Sequence, residues 1–279
     1  MKSKETKQRQ QIFLNTLDMI RSDKSLSESV EASIEELPVY GENEYSRLED
    51  NIRIKNTVIS VTEHRSFETA ALIHEKAPAR RIAVLNFANA FCAGGGVKDG
   101  ASAQEECLCR ESTLFRVLDT PKAFKYYYKY NRCRADYKAL DNVIYSPDII
   151  VFKDDTDFPQ NLPEDKRFKV DVITCAAPDL RAPFKVEFPS QIPYMSEAEQ
   201  FALHVKRAVH ILSIAAYKGA ESLVLGAFGC GVFNNNPETV AKAYKTAIDF
   251  FPKYFDEIEF AVYCRDDKTN YQEFLKVFG

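Results

Sequence analysis

Three consecutive glycines, Gly94, Gly95 and Gly96, are followed after seven residues by Gln104, Glu105 and Glu106. Glycine has no Cβ, so such a run takes positive φ readily and, with Val97, can bring main-chain N–H groups against an anionic oxygen. A phosphate suits that geometry. The two carboxylates are neighbours near the predicted start of a helix, so they diverge by about 100° and cannot flank one bond from opposite sides. Standing alone, such a pair would only favour the positive end of the helix dipole. Glycine is scarce here, 10 of 279 residues, so three together between a strand and a helix point to a built loop.

A second glycine cluster, Gly226-Ala227-Phe228-Gly229-Cys230-Gly231-Val232-Phe233, again falls between a strand and a helix, where open α/β sheets bind ligands. Two loops, at 94–97 and 226–233, can clamp a diphosphate from both sides with backbone N–H groups and no lysine. The chain accordingly carries no GKS or GKT phosphate loop. A dinucleotide fold of the GxGxxG type fails at both sites, because neither places its glycines at that spacing. None of His64, His74, His204 and His210 stands in a motif with a serine or cysteine nucleophile, which disfavours a hydrolase of that kind.

Apolar runs and helical periods alternate along the chain around these loops. Short apolar strands are predicted at 56–61, 82–87, 143–152, 170–177, 223–226 and 258–263, the run at 143–152 as a pair broken by Ser-Pro. Helices are expected at 66–76 with Ser66 as N-cap, 103–118, from Pro121, 196–217 behind the capping box of Ser196 and Glu199, from Pro237, and at 270–278. Strands alternating with helices give a three-layer α/β/α sandwich. Residues 1–50 read as an extension of one or two helices packed outside the main fold, with residues 51–279 as the main domain. Tyr126, Tyr127 and Tyr128 cannot share one side of a helix. They read as amphipathic packing with wet hydroxyl tips, although an aromatic and basic stretch of this kind could also track a nucleic-acid strand. Two long polar loops, 154–169 and 179–194, complete the outline.

The formal net charge of −4, with 37 basic and 41 acidic residues interspersed, offers no basic field for general nucleic-acid binding. A polyanionic ligand would be gripped at one end. Seven cysteines, an odd number without CxxC pairs, read as reduced thiols, and Cys107 with Cys109 two apart on a helix make no zinc site. No metal or other cofactor is called for. No apolar stretch approaches the roughly 20 residues of a membrane span, and the charged N-terminus has no apolar segment behind it, so a cytoplasmic protein without membrane partners is expected.

The GGG and QEE elements, the preceding Phe87-Ala88-Asn89, the later GAFGCGVFNNNP, and the runs YSPDIIVF and VDVITCAAP together resemble the bacterial-type poly(ADP-ribose) glycohydrolases, a macrodomain family. The likeness covers roughly residues 80 to 265. It implies a macrodomain-like mixed sheet and an enzyme that hydrolyses the ribose–ribose bonds of poly(ADP-ribose), with ADP-ribose as product. Such cleavage needs a carboxylic acid to protonate the departing oxygen. The resemblance assigns this to Glu106, sets Glu105 and Asn89 on ribose hydroxyls, uses Gln104 to support the loop, and packs Phe233 on the terminal ribose. Gly229, Cys230, Gly231 and Val232 would hold phosphate. Tyr263 is a candidate adenine stack and Glu63 a weaker polar partner, while Asn86 either holds ribose or caps the turn. The chain departs from the family pattern at Cys92-Ala93, where Asn-Pro is usual, and in NNNP, where an Asp is frequent. Two alternatives stay open on sequence: a hydrolase of single ADP-ribose groups on protein or nucleic acid, and a reader that binds ADP-ribose without cutting it.

Overall fold

A computed structural model describes residues 3–41, 56–134, 137–181, 195–250 and 254–279. The chain begins with α1 (Lys4–Ser22) and α2 (Lys24–Glu35), then β1 (Val39–Tyr40), β2 (Val58–Thr62), α3 (Ser66–Lys76) and β3 (Ile82–Phe87). Beyond the glycine loop come α4 (Gln104–Glu111), α5 (Leu114–Leu118), α6 (Pro121–Ala123), a π-helical turn over Phe124–Tyr128, and α7 (Lys129–Arg134). β4 (Val143–Val151), β5 (Phe168–Cys175), α8 (Glu197–Tyr217), β6 (Ser222–Leu225), α9 (Pro237–Phe250), β7 (Glu257–Ala261) and α10 (Thr269–Phe278) complete it.

Among the described residues seven strands form one mixed sheet in the order β1-β4-β5-β3-β6-β7-β2. β3 runs parallel to both β5 and β6, β7 parallel to β6 and β2, and β4 antiparallel to β1 and β5. Central strands buried on both faces read as nearly continuous apolar runs, which is why IAVLNF and SLVL carry no clean alternation. The period-2 geometry still sorts their side chains. Ile82 and Val84 face one core cluster, packed by helices from the first half of the chain. Ala83 and Leu85 face the other, packed by α8, α9 and α10. Helix, sheet and helix thus form the three layers expected.

Several local expectations change for physical reasons. The N-terminal helices do not lie outside the fold: Phe13, Ile20, Leu26 and Val30 belong to the first core cluster, and Phe13 meets Phe115 edge to face at 4.9 Å. The helix expected over 103–118 breaks at Ser112, which is extended and bridges Val151, while Thr113 Oγ1 accepts from the Ile150 N–H. β4 is a single strand with an irregularity at Ser146–Ile149, where Asp148 takes φ 54°. Ser66 is the first helical residue of α3 rather than its cap. Asp155 caps that helix from a distant loop, accepting from the N–H groups of Phe67 (2.8 Å) and Glu68 (3.3 Å).

The tyrosine triplet also differs. Tyr126 is exposed, but Tyr127 and Tyr128 are both buried, and their hydroxyls have no hydrogen-bond partner among the described residues. The wider π turn is what lets two adjacent rings enter the same core. Residues 182–194, most of the second long loop, lie outside the described residues, as does the end of the N-terminal extension from residue 42. Because α1 is part of the core, Phe13→Ala should lower stability by about 3–5 kcal/mol in chemical denaturation. A peripheral arm would give a change near zero.

Candidate active site

A cleft of about 730 Å³ opens at the carboxyl ends of β3, β6 and β7. Its size is that of a site for one small ligand. Of the residues singled out in the sequence, Asn89, Gln104, Glu105, Glu106, Gly229, Gly231, Val232, Phe233 and Tyr263 line it. Gly94, Gly95, Gly96, Val97 and Cys230 are not among its lining residues.

Gln104 joins the start of α4 to the end of β3. Its Oε1 accepts from the Phe87 N–H (2.8 Å), and its Nε2 donates to Leu85 O (2.7 Å) and Ser66 Oγ (3.0 Å). The amide thereby satisfies main-chain groups at the strand end and fixes the two glutamates that follow. Both are buried. Glu105 Oε2 accepts from the Asn89 N–H (2.7 Å), and its Oε1 lies 3.4 Å from Asn86 Nδ2. Glu106 Oε1 accepts from the Gly96 N–H (2.8 Å), while Glu106 Oε2 is buried without a partner among the described residues.

In the structure the triple glycine turns its amides inward. Its N–H groups are already engaged: Gly95 with Cys92 O, Gly96 with Glu106, and Val97 with Gly94 O. Gly96 meets a carboxylate of the chain itself, and the other two close the loop on its own carbonyls. Gly95, at φ 51°, shows why glycine is needed, since a Cβ there would lie 2.5 Å from Glu106 Oε1. The second loop is the one with amides to spare. The N–H groups of Gly229, Gly231, Val232 and Phe233 have no hydrogen-bond partner among the described residues. Asn235, buried at 3% exposure, holds this loop in shape. Its Nδ2 donates to Pro178 O (2.8 Å) and Gly229 O (3.0 Å), and its Oδ1 accepts from Gln200 Nε2 (3.1 Å) and from His204 Nε2 (2.9 Å). Burial depresses the His204 pKa to about 4, so its imidazole is neutral and donates through Nε2.

Burial raises the Glu105 pKa to about 8 against the opposing pull of the Asn89 N–H, and the neighbouring Glu106 adds to the rise. Asn86 Oδ1 is an orphaned buried acceptor, so an amide flip would let a protonated Glu105 donate to it. Asn86 also donates to Thr174 Oγ1 (3.2 Å), is fully buried and does not line the cleft. Asn89 Oδ1 is occupied by the N–H groups of Phe91 (2.8 Å) and Cys92 (3.1 Å). Glu63 is turned away from the cleft onto Lys268 (2.8 Å). Tyr263 is half exposed, and the Arg65 guanidinium lies 4.0 Å from its ring centroid.

The cleft also contains residues that the sequence did not single out. Arg65 sits among Tyr263, Asp155 and Asp157, and Arg181 lies 5.3 Å from the Phe233 ring while paired with Asp179. α1 contributes Glu5 and Arg9, with Arg9 Nε donating to Gly100 O at 2.8 Å. The acidic loop DDTD and the charged start of α1 were the available signals, and neither has a spacing that marks a site.

A buried acid pair at the sheet's carboxyl edge, facing a loop of free amides, defines a hydrolase that works on an anionic, phosphate-bearing ligand. Residues 13–154 match the family described as microbial-type PARG, catalytic domain, where PARG is poly(ADP-ribose) glycohydrolase. The chain belongs to that family. Among solved structures it is similar to the poly(ADP-ribose) glycohydrolase of Thermomonospora curvata, with 28% identity, 97% of this chain and 99% of that one covered, and a TM-score of 0.82. The same protein bound to the inhibitor ADP-HPD gives 29% identity, 96% and 98% coverage and a TM-score of 0.80. The Deinococcus radiodurans glycohydrolase in complex with ADP-ribose gives 32%, 89% and 96%, and 0.77. The fold is thus macrodomain-like. No curated protein sequence matches the chain.

Two predictions follow from the geometry. A carboxyl whose folded pKa lies above its unfolded value costs nothing below about pH 4.5 and progressively destabilises the fold as pH rises from there to about 8. Thermal denaturation of wild type should show that decline, and Glu105→Gln should flatten it. Asn235→Ala should cost roughly 1–3 kcal/mol and weaken ADP-ribose binding by calorimetry, because the carbonyls it satisfied are left buried.

Proposed function

We propose that the cleft seats the terminal unit of poly(ADP-ribose) and that Glu106 is the general acid for cleavage of the ribose–ribose bond. The chain is a glycoside hydrolase releasing ADP-ribose from that polymer. One observation supports choosing Glu106 over Glu105: of the four carboxylate oxygens in the pair, only Glu106 Oε2 lacks a partner among the described residues. That atom is free to hand a proton to the departing oxygen and, afterwards, to take one from the incoming water. Glu105 serves the ribose hydroxyls beside it. The free amides of Gly229, Gly231, Val232 and Phe233 cradle the diphosphate, and the Phe233 ring packs on the terminal ribose. Tyr263 flanks the adenine end together with Arg65.

Residues 1–50 act in this reading as an extension whose first helix completes one wall of the cleft, ahead of a catalytic unit over 51–279. No helix among the described residues is long and apolar enough to cross a membrane. Seven unpaired thiols suit a cytoplasmic setting.

The test is release of ADP-ribose from purified polymer and from mono-modified protein. Wild type should act on the polymer, and Glu106→Ala should lose about 10²–10⁴ of the rate while still binding ADP-ribose. Turnover of mono-modified protein alone, or binding without turnover by the wild type, would refute this assignment.

A further inference from the structure

The segment from Pro121 to Arg134 is left unused by the site above. Between Asp119 and Asp136 it carries Lys122, Lys125, Lys129, Arg132 and Arg134 and no carboxylate, in a chain whose net charge is −4. All five cations are exposed. Among them stand three exposed rings, Phe124 (45%), Tyr126 (44%) and Tyr130 (57%). Rings and cations are interleaved: Lys125 Nζ lies 4.7 Å from the Tyr126 centroid, and the Arg132 guanidinium 5.5 Å from that of Phe124. Because the π turn sends Tyr127 and Tyr128 inward together, the outer surface keeps only rings with open faces beside positive charge.

This strip is tied to the cleft by one loop. Arg132 Nε donates to Phe91 O at 2.7 Å, the Phe91 N–H donates to Asn89 Oδ1 at 2.8 Å, and the Asn89 N–H donates to Glu105 at 2.7 Å. The relay links the strip to the acid pair through Phe91 and Asn89. The cleft, at about 730 Å³, has the size of a single-ligand site, so the rest of any polymer lies outside it.

We propose that the α6–α7 strip is a second binding site, which holds the body of the poly(ADP-ribose) chain whose terminal unit occupies the cleft. This rests on the functional reading above. Each unit of the polymer brings a diphosphate for the lysines and an adenine for the rings, the pairing by which sequence-indifferent single-strand sites work. Continuity with the cleft favours this occupant over a nucleic acid. Once the end is seated, the following units reach the strip at high effective concentration, so modest contacts there suffice.

Two double variants test it, Lys125→Glu with Lys129→Glu, and Tyr126→Ala with Tyr130→Ala, all at exposed positions. Kinetics are compared on long polymer and on the ADP-ribose dimer. KM for long polymer should rise about tenfold in each, with kcat, KM for the dimer and affinity for free ADP-ribose unchanged. The salt dependence of the polymer KM should also be shallower in the charge variant. An unchanged polymer KM in both variants would overturn the strip while leaving the cleft's function standing, as would loss of affinity for a single-stranded oligonucleotide alone. Absence of turnover by the wild type on either substrate would instead defeat the functional reading. Polymer binding to the Glu106→Ala protein then still decides the strip: sensitivity to the four substitutions supports it, and indifference overturns it.

Discussion

Two adjacent carboxyl groups are held almost out of water by main-chain amides, and much of the molecule exists to make that arrangement tolerable. Gly96 donates to Glu106, Asn89 donates to Glu105, and Gln104 fastens the start of α4 to the end of β3. Burial of like charges side by side is costly, so at neutral pH Glu105 keeps its proton. The pair then carries less negative charge towards an anionic diphosphate. The helix N-terminus and the glycine loop together set that balance.

Work is divided between the two glycine loops. The first turns its amides inward, Gly96 onto Glu106 and Gly95 and Val97 onto carbonyls of the loop itself. The second keeps its amides unspent because Asn235 takes over the job of folding it, using one buried side chain to satisfy carbonyls that would otherwise draw in those N–H groups. Gln200 and neutral His204 on α8 orient that amide in turn. A helix on the far layer of the sandwich thus reaches the ligand side of the sheet through polar contacts.

The sheet, its alternation with helices and the residues on the cleft wall were legible because apolar runs, glycine clusters and the QEE triplet are local signals. What escaped depends on distance. Asp155 caps α3 from 88 residues away, and no local pattern at Ser66 could announce it. The burial of α1 is set by a stripe whose partner, Phe115, lies far along the chain. The direction of the Gly94–Gly96 amides could not be read either, since free and occupied N–H groups look alike until the glutamates are placed. The π turn likewise leaves no mark in PKAFKYYYKYNR beyond the oddity of three tyrosines.

The order of the strands has a bearing on when the protein can first act. β2, at one edge of the sheet, pairs among the described residues only with β7, and the Thr57 hydroxyl beside it reaches Phe255, 198 positions later. During synthesis from the N-terminus, β2 must emerge and wait for most of the polypeptide before its neighbour exists. The wall that carries Tyr263 follows directly from β7. A nascent chain therefore has no finished cleft until β7 and the residues that follow it have left the ribosome.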